Sequence, residues 1–203
     1  PISQYPVSRP VQSRYMQQVA VSRQVVEADL VVNVPKLKTH VLTVLTAGIK
    51  NTFGYVVGGD KMRIHAACPR PNQFAEALVD ILAIRVPDLT IMDAVLGMQG
   101  NGPSNGSPVH LGKILAGEDV VGLDTVATAF LGHKVTAVPH VAVAGHRGLG
   151  QTDLDRIQIL GEWQPVSGFC FPNTFIPGLA GLVLNRYLSK WINCVPEIIS
   201  SRC

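Results

Sequence analysis

Apolar positions recur with a helical period in two segments of the chain. The clearest helix runs from Asn72 to Arg85, because five apolar residues fall on one face: Phe74, Ala77, Leu78, Ile81 and Leu82. Pro87 ends this helix. A second helix is predicted from Val120 to Leu131, with Asp119 as its N-cap.

Three further segments have weaker helical patterns. The periodicity predicts a helix from Tyr15 to Glu27 and a short one from His140 to His146. The residues from His40 to Ala47 fit either a strand or a helix, and we favour a helix because Thr39 can cap it. These segments add helices between the predicted strands.

Short continuous apolar runs predict the strands. They cover Leu30–Val34, Leu89–Val95, Val109–Ala116 and the shorter Arg156–Leu160. Because strands and helices alternate along the chain, we expect an α/β fold. The predicted architecture is a three-layer, mostly parallel Rossmann-like sheet that is flanked by helices.

The pattern changes after Glu162, which suggests two parts. Residues 1–162 form the predicted α/β core, and residues 163–203 form an irregular C-terminal extension with one helix from Gly178 to Ile192. The sequence has no initiator methionine. We therefore expect a fragment whose N-terminal part is missing.

Composition excludes several classes of protein. Hydrophobic residues make up 47% of the chain and charged residues 15%, which argues against disorder. A net charge of +3 without a Lys/Arg run does not suggest nucleic-acid binding. No apolar run is long enough for a membrane span, and no signal peptide is visible. Four scattered cysteines without a C-x-x-C pair suit a reducing compartment, so we expect a cytoplasmic protein.

Candidate chemistry concentrates between Asp29 and His65. A predicted strand is followed by a basic turn with Lys36, Lys38 and His40, and then by a glycine-bounded turn that contains Lys50 and Asn51. Open α/β folds bind ligands where strands end in such turns. We expect the catalytic groups, His40 and Lys50, and cofactor-binding groups, Lys36, Lys38 and Asn51, to meet here.

The residue types suggest two kinds of chemistry. Lys50 lies between Ile49 and Phe53, and a lysine in apolar surroundings has a lowered pKa that suits a nucleophile or a cofactor anchor. His40 and His65 suit acid–base catalysis or metal binding. The alternative is that these lysines are solvated and the histidines satisfy loop hydrogen bonds.

A second candidate loop runs from Gly97 to Pro108. It is polar and rich in glycine, and its backbone N–H groups at Asn101 and Gly102 suit an anion. Asp93, in the preceding strand, suits a metal ion or the orientation of a lysine. The alternative is a hairpin-like surface loop without a ligand.

These residues together resemble the domain-of-unknown-function family 362, over about residues 25–162. The resemblance rests on Pro35-Lys36-Leu37-Lys38-Thr39-His40, Gly48-Ile49-Lys50-Asn51 with Phe53-Gly54, His65, Asp93, Asn101-Gly102-Pro103 with Gly106, Asp119 with Asp124, and Gly148-Leu149-Gly150. It implies a ferredoxin-like domain in cis, because many members carry such a module with iron–sulfur clusters. Cys203 would then be the first ligand of a truncated C-x-x-C-x-x-C motif for a 4Fe–4S cluster, which only the full-length protein would hold.

A more distant similarity is to the lactate racemase family, whose enzymes tether a nickel cofactor to a lysine. The similarity implies that His40 is an acid–base group, Lys50 the tether and His65 a metal ligand. The chain has Gly-Ile-Lys-Asn where that family has a Gly-Gly-x-Lys turn. A divalent metal or nickel-type cofactor is therefore an expectation from the resemblance alone.

Three functional hypotheses follow. The first is a metal- or redox-cofactor-dependent enzyme domain that acts on a small-molecule substrate between the Lys36–His65 stretch and the Asn101 loop. The second is a non-catalytic module that binds an anion or a nucleotide. The third is a scaffold for an attached ferredoxin domain.

Overall fold

The computed structural model of this chain describes residues 5–12 and 15–173. The strands in this part are β1 Pro6–Pro10, β2 Gln18–Ser22, β3 Val32–Asn33, β4 Lys36–His40, β5 Val44–Thr46, β6 Leu89–Asn101 and β7 Asn105–Gly117. The helices are α1 Arg23–Glu27, α2 Gly48–Asn51, α3 Asp60–Ala67, α4 Pro71–Ile84, α5 Val120–Phe130 and α6 Pro139–His146. Short 3-10 helices cover Thr52–Tyr55, Val135–Ala137 and Leu154–Arg156.

Strand β6 is the centre of the main sheet. It pairs in parallel with β3 and β4 on one side and antiparallel with β7 on the other, while β5 pairs antiparallel with β4. The predicted α/β class, with a parallel centre and flanking helices, is confirmed. The predicted helices that became α4, α5 and α6 are also confirmed.

Helix α4 lies between two apolar clusters. Val79 and Leu82 pack in the cluster under the main sheet, and Phe74 packs with Val19 and Val21 of the small β1–β2 sheet. The layers are therefore the main sheet, the helices and the small sheet. In the part of the chain that the structure describes, the other face of the main sheet exposes apolar side chains: Val32, Val34, Ile91 and Ile114.

Two predicted helices are wrong in whole or in part. His40–Ala47 belongs to the β4–β5 hairpin, because cross-strand pairing of Lys38 with Thr46 and of His40 with Val44 outweighs the weak helical signal. Tyr15–Glu27 contains β2 and only a five-residue helix. In β2, Val19 and Val21 are buried with the period of a strand.

The predicted loop Gly97–Pro108 is also wrong. Its residues extend β6 and β7, with pairing out to Asn101 and Asn105. The glycines permit close packing, since a Cβ on Gly106 would lie 2.4 Å from the Met98 side chain. The hairpin that the sequence left open as an alternative is the structure that forms.

Three smaller expectations also change. The predicted basic turn at Lys36–His40 is strand β4, and the predicted strand Leu30–Val34 shortens to β3. The predicted strand Arg156–Leu160 is instead irregular after a 3-10 helix, where the Asp153 side chain accepts a hydrogen bond from the Asp155 N–H. The predicted helix at residues 178–192 lies outside the described residues. No described helix is long and apolar enough to cross a membrane.

Candidate functional site

Helix α2, which carries Lys50, is fixed from α5. The buried Asp124 carboxylate accepts hydrogen bonds from the N–H groups of Gly48, at 2.7 Å, and Ile49, at 2.9 Å. Burial raises the pKa of Asp124 to about 7, although these two N–H groups oppose the shift. A Cβ on Gly48 would lie 2.5 Å from a methyl group of Val120, so only glycine allows this approach.

A pair of asparagines fixes α2 from the sheet. Asn51 Nδ2 donates to Asn33 Oδ1 at 2.8 Å, and Asn33 Nδ2 donates to the Gly48 carbonyl at 3.0 Å. Asn51, predicted to bind a cofactor, therefore uses its side-chain amide to connect α2 to β3. The backbone around Lys50 is held by contacts from two elements.

The Lys50 ammonium lies among aromatic rings. Its Nζ is 5.8 Å from the ring centre of Phe53 and 5.7 Å from that of Phe74. The His65 ring stacks on Phe74 at 4.4 Å between ring centres and meets Phe53 edge to face at 5.5 Å. The structure thus brings Lys50 and His65 against the same two rings, where cation–π attraction stabilises the ammonium.

His40 ends β4 and is oriented by its own turn. Its Nδ1 accepts a hydrogen bond from the Leu42 N–H at 3.1 Å, so the proton of the neutral ring is on Nε2. Antiparallel pairing places His40 and Val44 on the same hairpin face as Lys38 and Thr46. Val44 has a φ of 67°, which a β-branched residue adopts only under strain, and such strain is common next to functional sites.

The basic groups shift one another's protonation. Burial, and then Lys50, His65 and Lys38, lower the pKa of His40 to about 4. Burial and Lys38 lower the pKa of Lys50 to about 8, and burial and Lys50 lower that of His65. Every charged group that causes these shifts is basic, so the cluster of Lys38, His40, Lys50 and His65 (hereafter the basic cluster) has a positive potential.

Sequence reasoning missed His140 and Thr46. His140, in α6, is fully buried, and neither ring nitrogen has a hydrogen-bond partner among the described residues. Burial, and then Lys50 and His40, lower its pKa to about 3. The Thr46 hydroxyl is also buried, and it has no hydrogen-bond partner among the described residues. The available signal was a histidine inside the apolar stretch from Val138 to Ala144.

The other predicted site residues have partners elsewhere. Lys36 Nζ lies 2.7 Å from a carboxylate oxygen of Asp93 in a half-exposed ion pair. Asn101 Oδ1 accepts from the Asn173 N–H at 2.9 Å, and the Gly102 carbonyl accepts from the Val41 N–H at 2.9 Å. The tip of the β6–β7 hairpin therefore packs beside the turn that follows His40.

The predicted metal ligands are not gathered into one group. Within residues 5–12 and 15–173, no three His, Cys, Asp or Glu side chains lie close enough to hold a metal ion. His65 stacks on Phe74, Asp93 pairs with Lys36, and Cys203 lies outside the described residues. Their assignment as metal ligands stays a prediction.

Comparisons with known proteins identify a family. Residues 3–129 match the family model described as "Domain of unknown function (DUF362)", a range that contains the basic cluster and ends before His140. "Thylakoid-associated protein sll1697" of Synechocystis sp. is 38% identical over 132 residues, which cover 64% of this chain and 41% of that protein. The chain thus spans about two fifths of the length of this curated relative. No solved structure matches the chain significantly.

Proposed function

We propose, from the premise that this chain belongs to the DUF362 family, that it carries the site of an enzyme domain for a small anionic substrate or cofactor. The observation that carries the proposal is the basic cluster around Lys50. Among the described residues, neither Lys38 nor Lys50 forms an ion pair with a carboxylate. A carboxylate or phosphate group of a ligand would supply the missing negative charge.

The protonation states suit catalysis as well as binding. With a pKa of about 8, Lys50 is mostly a cation at pH 7, but an appreciable fraction is the neutral amine. It can therefore anchor an anion or attack a carbonyl group. His40 is neutral at this pH, and its Nε2–H can donate a hydrogen bond that orients the ligand beside Lys50.

Anion binding tests this site directly. We expect inorganic phosphate and propionate to shift the imidazole NMR signals of His40 and His65 in the wild-type chain. Lys50→Met removes the charge but keeps an unbranched side chain of similar length, so it should weaken binding roughly tenfold or more. Lys134→Met, at an exposed position, is the matched control. Equal weakening by both variants would show that binding is only non-specific attraction.

A second candidate, a non-catalytic anion- or nucleotide-binding module, is favoured by the same positive potential. The reactivity of the Lys50 amine distinguishes the enzyme domain from the binding module. In the enzyme domain, pyruvate with cyanoborohydride at pH 7 should modify Lys50 before other lysines, because an amine with a lowered pKa forms the imine faster. Mass spectrometry of peptides would locate the adduct. Uniform modification of all exposed lysines would favour the binding module.

The metal or redox cofactor expected from sequence stays part of the proposal. His40 and His65 offer two nitrogen donors, but no third His, Cys, Asp or Glu completes a metal site in the described part. These two donors alone do not hold a metal ion, so a metal would need further ligands from a cofactor or from residues outside the described part. Metal analysis of the protein after anaerobic purification would test the expectation.

The link to an iron–sulfur module is also a proposal. Its support is the family resemblance and the likeness of the approach to Cys203 to the lead-in of a C-x-x-C-x-x-C motif. Cys68 is buried and Cys170 is exposed, and both are free thiols. We expect a longer protein to contain iron and sulfide and this chain to contain none. A colourless, iron-free longer protein would contradict the module, and an iron-containing preparation of this chain would contradict Cys203 as a truncated ligand.

The compartment needs a separate experiment. The relative from Synechocystis sp. is described as associated with thylakoids, and this is a statement about that protein. A cytoplasmic location for this chain stays a proposal that rests on its scattered cysteines. Fractionation of cells that produce the protein would test it, and recovery with membranes would contradict it.

A further inference from the structure

His140 is a polar group placed in the core at a cost. Its side chain is 0% exposed, and both ring nitrogens lack a partner in the described part of the chain. A buried donor or acceptor without a partner destabilises a fold by about 1–3 kcal/mol, so proteins rarely keep one without a reason. A ligand that completes these hydrogen bonds is such a reason.

The position of His140 is fixed by its helix. Arg147, just after α6, donates to Asp80 of α4 at 2.6 Å and also pairs with Glu76. Val141 and Ala144 of α6 are buried in the cluster under the main sheet. The imidazole is therefore held by a rigid element and does not reach its position through a mobile loop.

His140 lies close to the basic cluster. Burial, and then the basic groups of Lys50 and His40, lower the pKa of its ring. Helix α6 also contacts α2, the element that carries Lys50. The ring is neutral at pH 7, so it offers one hydrogen-bond donor and one acceptor.

The site becomes less charged with depth. His65 is exposed, and Lys38, His40 and Lys50 are half-buried. Thr46, the cross-strand neighbour of Lys38, is 8% exposed, and its hydroxyl also lacks a partner among the described residues. The lysines therefore lie in the more exposed part of the site. Thr46 and His140, neutral groups that both donate and accept hydrogen bonds, lie in the buried part.

We propose that His140, with Thr46, hydrogen-bonds a hydroxyl group at the inner end of a ligand whose anionic group binds Lys50. A hydroxyl group donates one hydrogen bond and accepts others, as a neutral imidazole and a threonine hydroxyl require. The ligand is a hydroxylated anion, a chemistry that hydroxy acids and sugar phosphates share. This inference rests on the proposed anion site, and it makes His140 a positioning residue that selects the ligand.

Matched pairs of anions test the inference. We would compare propionate with 3-hydroxypropionate, and methylphosphonate with hydroxymethylphosphonate, by NMR titration of the chain. Within at least one pair, the hydroxylated member should bind the wild type about tenfold more tightly, because only it satisfies the buried groups. The pair with the larger preference distinguishes a carboxylate from a phosphate-like head group.

Three variants isolate the buried contact. His140→Leu removes both nitrogens and should abolish the preference for the hydroxylated anion. Thr46→Val is nearly isosteric and should reduce the preference. His140→Gln keeps a donor and an acceptor and should retain part of it. If His140→Leu does not fold, Thr46→Val and His140→Gln still decide the question.

The outcomes separate this inference from the proposed function. Equal binding of both members to the wild type, or a preference that survives these substitutions, would overturn the role of His140 but leave the anion site. If no anion bound the wild type, the proposed site would be wrong and this inference with it. A preference that follows the variants as described supports both.

Discussion

Lys50 combines an ammonium charge that aromatic rings stabilise with a lowered pKa that favours a reactive neutral amine. Its ammonium is partly removed from water, which lowers its pKa to about 8, yet two aromatic rings less than 6 Å away stabilise the charge that remains. No carboxylate pairs with it among the described residues. A lysine in this state favours either a bound anion or the loss of its proton.

Replacing Lys50 should therefore stabilise the protein. The native state loses the Lys50 proton near pH 8, whereas the unfolded state keeps it up to about pH 10.5. The free energy of unfolding of the wild type thus rises with pH between these values. Below pH 8 the buried Lys50 charge destabilises the native state to its full extent. We expect Lys50→Met to raise the free energy of unfolding at pH 7 by about 1–2 kcal/mol, allowing for partial exposure.

Denaturant unfolding at pH 7 and pH 10 checks this prediction. The advantage of Lys50→Met should shrink at pH 10, while Lys134→Met should have a small effect at both values. Loss of ligand binding together with a gain in stability is typical of a residue kept for function. A destabilised Lys50→Met variant would mean that Lys50 contributes chiefly to packing.

At the scale of elements, the short helix α2 depends on its neighbours. Four residues form too few hydrogen bonds to be stable alone. Asp124 of α5 satisfies the first two N–H groups, and Asn33 of β3 binds the Gly48 carbonyl. The orientation of Lys50 therefore depends on α5 and β3 and not on its own helix alone.

Gly48→Ala tests this dependence. The added Cβ would lie 2.5 Å from Val120 Cγ2 and 2.9 Å from Asp124 Oδ1, so α2 must move away from α5. We expect a loss of about 1–3 kcal/mol of stability and a higher pKa of Lys50. Gly54→Ala is the control, because nothing lies within 4 Å of its added Cβ. Thermal unfolding and lysine NMR titration measure both effects, and equal behaviour of the two variants would contradict the close approach.

At the scale of the whole molecule, buried histidines should make the fold sensitive to acid. The pKa of His40 is about 4 and that of His140 about 3, whereas an unfolded histidine binds its proton near pH 6.5. The unfolded state then binds more protons below pH 6.5, so stability falls as the pH falls. Asp124 acts in the opposite direction, because its raised pKa of about 7 lets the native state bind a proton first.

Variants separate these contributions. We expect the wild type to lose stability relative to His40→Gln and His140→Leu as the pH falls from 6.5 to 4.5, by up to about 1 kcal/mol per pH unit for each histidine. Urea unfolding at three pH values would measure the difference. Parallel pH curves for the wild type and both variants would show that neither histidine is buried in its neutral form.

The sequence by itself determined the elements that have strong local signals. The apolar face of α4, the Asp119 cap of α5 and the apolar runs of β6 and β7 specify helices and strands wherever they pack. The glycine-bounded turn and its basic neighbours also directed attention to His40, Lys50 and His65. These features depend on residues close together in the chain, so they can be recognised without a structure.

Only the tertiary structure decided how those residues are used. Strand pairing made a hairpin of His40–Ala47, and the partner strands turned the glycine loop into the ends of β6 and β7. Asp124 is 76 positions from Gly48 in the sequence, and only folding brings the carboxylate to the N–H group. The apolar stretch around His140 is only a weak local signal, because its complete burial and the contact of α6 with α2 arise from tertiary packing. Contacts between distant segments set the depth and the pKa values of this site, and a local pattern contains neither.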